Sequence, residues 1–232
     1  HILYSTVQCA NNMQSCRMEA TMTKTIEIKQ AVYSENDAHA KKIRDRLSSL
    51  GIFTVNVLGG AGAGKTTSLI QIIRRLSGIH VYVIEGDIQS DIDTQALRSL
   101  GVDAHQINTG GDCHLNAPMM EGMLSGMKLD KKGILFLENI GNLVCPAEFV
   151  IGENMKILIC SYPEGSDKPY KYPTAVQKAS AVILTKNDLA PHITFDYSFF
   201  EKGVRTLNPA APIYRTYGST GEGCFKVVSW LL

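Results

Sequence analysis

A chain of 232 residues with 44% apolar and 19% charged side chains has material for one good core, within the range of an ordinary globule. Its 23 Lys and Arg against 22 Asp and Glu leave a formal net charge of +1, which excludes the strong basic excess of a nucleic-acid-binding surface. No apolar run approaches the roughly 20 residues that a bilayer demands, nothing in the first residues reads as a secretory signal, and six cysteines at 9, 16, 113, 145, 160 and 224 are too scattered for a disulfide framework. The expectation is a cytoplasmic protein with reduced thiols and neither a nucleic-acid nor a membrane partner.

Residues 1–24 show no clear period, and the spacing of Cys9 and Cys16 is not that of a tight zinc motif. They are expected to be a tail, disordered or partly non-native, ahead of a single domain over 25–232. The segment SENDAHAKKIRDRLSSLG predicts a helix, with Ser34 as its cap, Asp37 at capping-box spacing and Gly51 closing it. Thereafter apolar runs alternate with helical patterns. Strands are predicted over 52–58, 80–86, 104–108, 133–138, 155–160, 180–185 and 212–217. Their near-continuous apolarity suits burial on both faces, hence a mainly parallel central sheet in a three-layer α/β fold. Ligands of such a fold sit at the carboxyl ends of its strands.

The first strand runs into GGAGAGKTT. Gly59, Gly64, Lys65 and Thr66 match the phosphate-binding loop of P-loop NTPases, set between a strand and a helical pattern. Glycines, including Gly60 and Gly62, let backbone N–H groups curl around phosphates without a Cβ in the way. Lys65 neutralises the β- and γ-phosphates, Thr66 offers its hydroxyl to Mg²⁺, and Thr67 opens the helix beside them. After the second strand, EGDIQSDID supplies Asp87, Asp91 and Asp93. These are candidates for the Mg²⁺ shell or for positioning water, and Asp87 and Asp93 are catalytic candidates together with Lys65 and, further along, Glu138. The fourth strand ends in Glu138, and Gly141 follows three residues later. An acid there can hold Mg²⁺ directly or through water, and such a glycine can sense a γ-phosphate through its N–H. Asn142 stands where many GTPases carry a water-positioning glutamine, which predicts slow intrinsic hydrolysis.

Between these elements lies NTGGDCHLNAP, with Cys113 beside His114; Cys145 follows Gly141 by four residues. Thiolate and imidazole suit Ni²⁺ or Zn²⁺, whereas Mg²⁺ takes oxygen. Both stretches lie on loops expected to answer a γ-phosphate. Three ligands leave a four-coordinate site incomplete, which a second copy across a two-fold axis can complete. Cys160 and Cys224 read as core. Beyond the sixth strand, TKND places Lys186 and Asp188 where GTPases commonly carry N-K-x-D. A carboxylate accepts from both guanine donors, while adenine presents an acceptor there. Thr185 replaces the usual asparagine.

The motifs GGAGAGKTT, EGD, QINTGGDCHLNAPMM, LENIGNLVCPAEF, GSDKPYKYP and STGEG together resemble the HypB family of hydrogenase nickel-incorporation GTPases, in the SIMIBI class of P-loop NTPases. The resemblance runs from about residue 26 to the end. It implies GTP hydrolysis to GDP and phosphate, with Mg²⁺, coupled to delivery of nickel into [NiFe]-hydrogenase precursors. It implies a homodimer favoured by GTP and metal, a companion nickel metallochaperone and the hydrogenase large-subunit precursor as partners, and Cys113, His114 and Cys145 as the metal site. Departures are Asn116 for aspartate, Pro163 for threonine, Thr185, and the absence of a C-x-x-C-G-C or histidine-rich stretch. The urease accessory GTPases carry Cys-Pro-His where this chain has Ala147 after Cys-Pro. A small-molecule P-loop kinase and a non-catalytic metal-binding module are the readings from other classes.

Overall fold

The computed structural model describes residues 33–87 and 92–232. The tail over 1–24, with Cys9 and Cys16, and Asp91 lie outside the described residues. Seven strands form one sheet: β1 (Ile52–Gly59), β2 (His80–Asp87), β3 (Asp103–Asn108), β4 (Gly133–Glu138), β5 (Met155–Ser161), β6 (Ala181–Thr185) and β7 (Ile213–Arg215). Their order is β3-β2-β4-β1-β5-β6-β7, and all six pairings are parallel.

Alternation along the strands explains the three layers, because successive side chains leave opposite faces. Val55, Val57, Val81, Val83 and Phe136 pack with Leu69, Ile72, Val227 and Val228, from helices α2 (Lys65–Ile73) and α9 (Cys224–Leu231). Ile52, Tyr82, Ile84 and Leu135 face the other way, onto Ile43, Leu47, Met120 and Leu124. These last come from α1, helical over 33–49, and α4 (Ala117–Gly126). The same face continues as Leu58, Leu158, Val182 and Leu184 against Ala147, Ala175, Val176 and Phe200. Those belong to α5 (Cys145–Glu148), α7 (Pro173–Gln177) and α8 (Tyr197–Leu207). Two short helices complete the set, α3 (Ile92–Arg98) and α6 (Lys168–Lys171).

Two sequence expectations are corrected. The chain is already helical at residue 33, so Ser34 lies inside α1 and cannot be its N-cap. Gly51, at φ +71°, does follow the helix, where the N–H of Leu50 still bonds to Arg46 O. The last strand is shorter than its apolar run. Thr216 N reaches Leu184 O at 2.9 Å, but Tyr217 N turns instead to Glu222 O.

Strand order reverses at the centre of the sheet. From β1 the chain first builds outward through β2 and β3, returns to insert β4 beside β1, and then builds the other half from β5. The carboxyl ends of β1, β4, β5 and β6 therefore open onto one crevice, the expected place for a ligand in such a sheet.

Candidate functional site

The phosphate loop leaves β1 at Gly59, where a Cβ would lie 2.9 Å from Ile159 O. Gly62 and Gly64 hold φ of +72° and +92°, left-handed values that side-chain-bearing residues rarely adopt. Lys65 opens α2 and its Nζ folds back to donate to Gly60 O at 3.4 Å. The helix N-terminus and the loop amides thus face the same opening.

At the next residue, the Thr66 hydroxyl lies 2.9 Å from Asp93 Oδ2 and 2.8 Å from Glu138 Oε1. A hydroxyl has one hydrogen, so it donates to only one of them at a time. Glu138 is 4% exposed, and its Oε2 has no hydrogen-bond partner among the described residues. Burial pushes its pKa up to about 7, against the pull of the Lys65 charge and the Thr66 hydrogen bond. Glu85 sits directly across from Glu138 in the β2–β4 register. It is buried, accepts from the Thr94 hydroxyl, and is also pushed up, chiefly by burial. Asp87 ends the same strand, and its carbonyl accepts from Thr109 N at 3.1 Å.

This cluster fits a hard divalent cation. Carboxylates from β4 and α3 meet at a threonine hydroxyl, with Glu85 of β2 opposite Glu138 in the sheet, and a buried carboxylate oxygen is left for a cation or its bound water to satisfy. Glu85 was missed from the sequence. Its signal was its position two residues before Asp87 on an otherwise apolar buried strand, where an acid has no reason to be unless it has a partner.

The loop that follows β6 is tied to the phosphate loop. Thr185 Oγ1 lies 2.6 Å from Ala63 O and 3.2 Å from Cys160 O. Lys186, at φ +59°, donates from Nζ to Gly62 O at 2.7 Å. Asn187 Nδ2 bonds Leu184 O and Thr216 O, holding the loop that presents Asp188. A cavity of about 220 Å³ opens here, lined by Gly64, Thr67, Thr185, Lys186, Asp188 and the Gly218–Ser219 turn, with Ser68. Gln71 Nε2 pins Gly218 O at 3.1 Å, and Arg75 pins Thr220 O at 3.2 Å. In the sequence, STGEG stands out only as a family motif, and nothing local to it points to Gly218 or Ser219 as lining this cavity.

On the other side, Gly141 packs on the phosphate loop so closely that a Cβ would meet Ala61 Cα at 2.8 Å. Asn142 spends its side chain on the loops that carry Cys113 and Cys145. Its Nδ2 donates to Cys113 O at 3.2 Å, and its Oδ1 accepts from Val144 N at 2.9 Å.

The Cys113, His114 and Cys145 ligand atoms all lie within 4.8 Å of one another, with Cys113 Sγ 3.5 Å from His114 Nδ1. The His114 ring rests 4.2 Å from that of Phe149, and its burial lowers the imidazole pKa. That favours the neutral ring that binds metals. The Cys113 thiol is pushed up by its hydrogen bond with Cys145, then by burial and the Cys145 charge. A cavity of about 380 Å³ opens beside His114, lined also by Asp112, Asn116 and Phe149. Asn116 caps α4, accepting from Met119 N at 2.9 Å, a task that asparagine and aspartate perform alike. Pro163 occupies the start of a 3₁₀ turn over Tyr162–Glu164, where a missing N–H costs nothing. Cys160 and Cys224 are buried, and Cys160 is pushed up to about 12 by burial.

Comparison with known proteins decides the family. The model for "CobW/HypB/UreG, nucleotide-binding domain" matches residues 53–215. The chain belongs to this family. It is 39% identical to the hydrogenase maturation factor HypB of Azotobacter chroococcum mcd 1, over 91% of this chain and 70% of that one. Among solved structures it resembles HypB from Helicobacter pylori in complex with nickel, at a TM-score of 0.81 and 37% identity, covering 85% of this chain and 93% of that one. HypB from Archaeoglobus fulgidus matches with a TM-score of 0.79 at 32% identity, over 85% and 97%. The seven-stranded parallel α/β fold is the one these HypB structures share.

Proposed function

We propose that this protein is a GTP-hydrolysing metallochaperone, coupling nucleotide state to binding of nickel or zinc and serving nickel insertion into [NiFe]-hydrogenase. The observation that carries the reading is the junction between two sites. Cys145 lies four residues beyond Gly141, and the Asn142 between them bonds the Cys113 backbone. A loop that moves with the γ-phosphate therefore moves against the metal ligands.

In this reading the amides of Gly59, Gly60, Gly62 and Gly64 and the Lys65 ammonium hold the phosphates, with Thr67 beside them. Asp188 accepts from guanine, and Lys186 lies along the base. Thr66 and Glu138 hold Mg²⁺ directly or through water, with Asp93, Asp87 and Glu85 around it; the cation supplies charge for the phosphates' oxygens. Asp87 and Asp93 orient the attacking water. Gly141 offers its N–H to the γ-phosphate, and the loop relaxes once the terminal phosphate has left as inorganic phosphate. No glutamine follows Gly141, so hydrolysis without a partner is slow. The nickel or zinc is cargo, held by Cys113, His114 and Cys145. A second copy completes the coordination in a homodimer favoured by GTP and metal. A companion nickel metallochaperone and the hydrogenase large-subunit precursor stand before and after it in the transfer.

Linkage makes the coupling reciprocal, at about 1–3 kcal/mol for a typical pair of sites. The test is Ni²⁺ and Zn²⁺ affinity with GDP and with a non-hydrolysable GTP analogue, in the wild type and in Cys113→Ala and Cys145→Ala. A severalfold difference that disappears in both variants is expected. Equal affinities in the two nucleotide states sink the coupling, and binding that survives both substitutions sinks the metal site.

A further inference from the structure

A buried polar chain runs beneath the two metal-carrying loops, and neither the nucleotide site nor the soft-ligand trio accounts for it. It begins one residue after His114, where Leu115 N donates to Asn139 Oδ1 at 3.1 Å. Asn139 Nδ2 donates to Asn56 Oδ1 at 3.3 Å, and Asn56 Nδ2 to Glu153 Oε1 at 3.4 Å. That oxygen is also 3.4 Å from Lys156 Nζ, while Glu153 Oε2 accepts from Ile151 N at 2.7 Å. Lys156 Nζ then donates to Pro146 O at 3.2 Å, Ala147 O at 2.9 Å and Phe149 O at 2.7 Å.

Both ends of this chain finish beside metal ligands. Pro146 and Ala147 follow Cys145 in α5, and Phe149 is the residue whose ring backs His114. The four side chains between are almost wholly withdrawn from solvent: Asn139 1%, Asn56 0%, Glu153 4% and Lys156 5% exposed. Lys156 on β5 sits in register with Asn56 on β1, so the anchor is the rigid centre of the sheet. Burial lowers the Lys156 pKa, and the Glu153 charge opposes this.

The chemistry of the end-point explains the residue type. In this four-residue helix only Cys145 O is satisfied by the turn itself, by Phe149 N at 3.3 Å; the carbonyls at its C-terminal end need outside donors, and an ammonium brings three donors to one point. A buried ion pair is weak as a source of net stability but fixes the geometry of what it bonds.

We propose that Lys156, held by Glu153 and Asn56, is a positioning residue of the metal site. It fixes the carbonyls of α5 and Phe149, and through them the Cys145 thiol and the ring behind His114. Asn139 fixes the segment that follows His114. The inference rests on the reading of Cys113, His114 and Cys145 as soft-metal ligands.

The test uses the full chain with Lys156→Met, which keeps the stem and removes the ammonium, and Lys156→Arg, which keeps the charge. Three quantities are read. They are the iodoacetamide alkylation rate at Cys145 in metal-free protein, by peptide mass spectrometry; the Zn²⁺ and Ni²⁺ affinities; and the GDP affinity. In Lys156→Met, Cys145 alkylation accelerates severalfold and metal affinity falls about 10- to 100-fold, the usual cost of losing a group that orients a ligand. GDP affinity stays at the wild-type value, and Lys156→Arg recovers most of the loss. A residue that merely stabilised the fold would lower GDP affinity as well and leave Cys145 reactivity unchanged in the folded population. Where Lys156→Met does not fold, Glu153→Gln/Lys156→Met, which leaves no unpaired buried charge, carries the same measurements. A folded variant with wild-type alkylation and wild-type metal affinity overturns the proposal. If the wild type itself binds neither metal, the metal-site reading falls, while the alkylation comparison still decides whether Lys156 positions Cys145.

Discussion

Replacing Thr185 with valine isolates one atom of the base loop. Valine keeps the β-branch and nearly the volume, so the perturbation is the hydroxyl alone. That hydroxyl lies 2.6 Å from Ala63 O and 3.2 Å from Cys160 O, at a residue only 1% exposed. The side chain is almost wholly withdrawn from solvent, so the variant leaves one buried carbonyl oxygen short of a donor. Such a loss costs about 1–3 kcal/mol. Ala63 lies between Gly62 and Gly64 in the phosphate loop, so the cost falls on the geometry that nucleotide binding requires. Each 1.4 kcal/mol that binding must restore weakens affinity by about tenfold. Urea denaturation and titration with a fluorescent GDP analogue measure the two consequences together. The expected result is lower stability, GDP and GTP affinities about 5- to 100-fold weaker, and an unchanged preference for GTP over ATP, because Asp188 is untouched. A folded Thr185→Val that binds GDP as tightly as the wild type refutes the claim that this hydroxyl holds the phosphate loop in the geometry that binding requires.

Asp188→Asn exchanges an acceptor-only group for one that also donates. GTP affinity should fall by two orders of magnitude or more while XTP, whose 2-oxo group accepts, gains; competition binding with both nucleotides decides, and a retained GTP preference removes Asp188 from the base site. Gly141→Ala places a methyl 2.8 Å from Ala61 Cα, an overpacking cost of about 1–3 kcal/mol. Single-turnover GTP cleavage should slow in the folded variant, and an unaltered rate would show that close packing of this loop is not needed. Glu138 gives a pH signature in chelator-treated, nucleotide-free protein. Its pKa rises on folding from 4.5 to about 7, so the folded state holds the proton that the unfolded state has released. Stability contributed by that proton is full below about pH 4.5 and is lost as pH rises to about 7, a loss of roughly 3 kcal/mol. Glu138→Gln should flatten that part of the urea-midpoint profile, leaving the share from Glu85; an identical slope in the variant contradicts the assignment.

Much of this protein is legible in one dimension. Near-continuous apolar runs such as GILFLE fix a strand buried on both faces, and β4 begins and ends where that run does. GGAGAGKTT declares a phosphate loop because backbone conformation is set by glycine content and by the neighbouring strand and helix, all local in sequence. Cys113 and His114 are adjacent, and Cys145 is placed by its distance from Gly141, so the trio could be nominated without a fold.

What the sequence could not supply are relations across the sheet. Glu85 faces Glu138 because β4 inserts beside β2, a pairing set by strand order and register. Gly218 and Ser219 reach the base cavity because β7 lies beside β6, whose end carries Lys186 and Asp188. Lys156, 11 residues beyond Cys145 in the chain, comes to serve it only through the return of β5 alongside β1. Residue type and local conformation are written along the chain, since neighbouring atoms decide them. Which buried charge meets which carbonyl is decided by packing between distant segments, where removal from water makes every unpaired polar group costly enough to demand a partner.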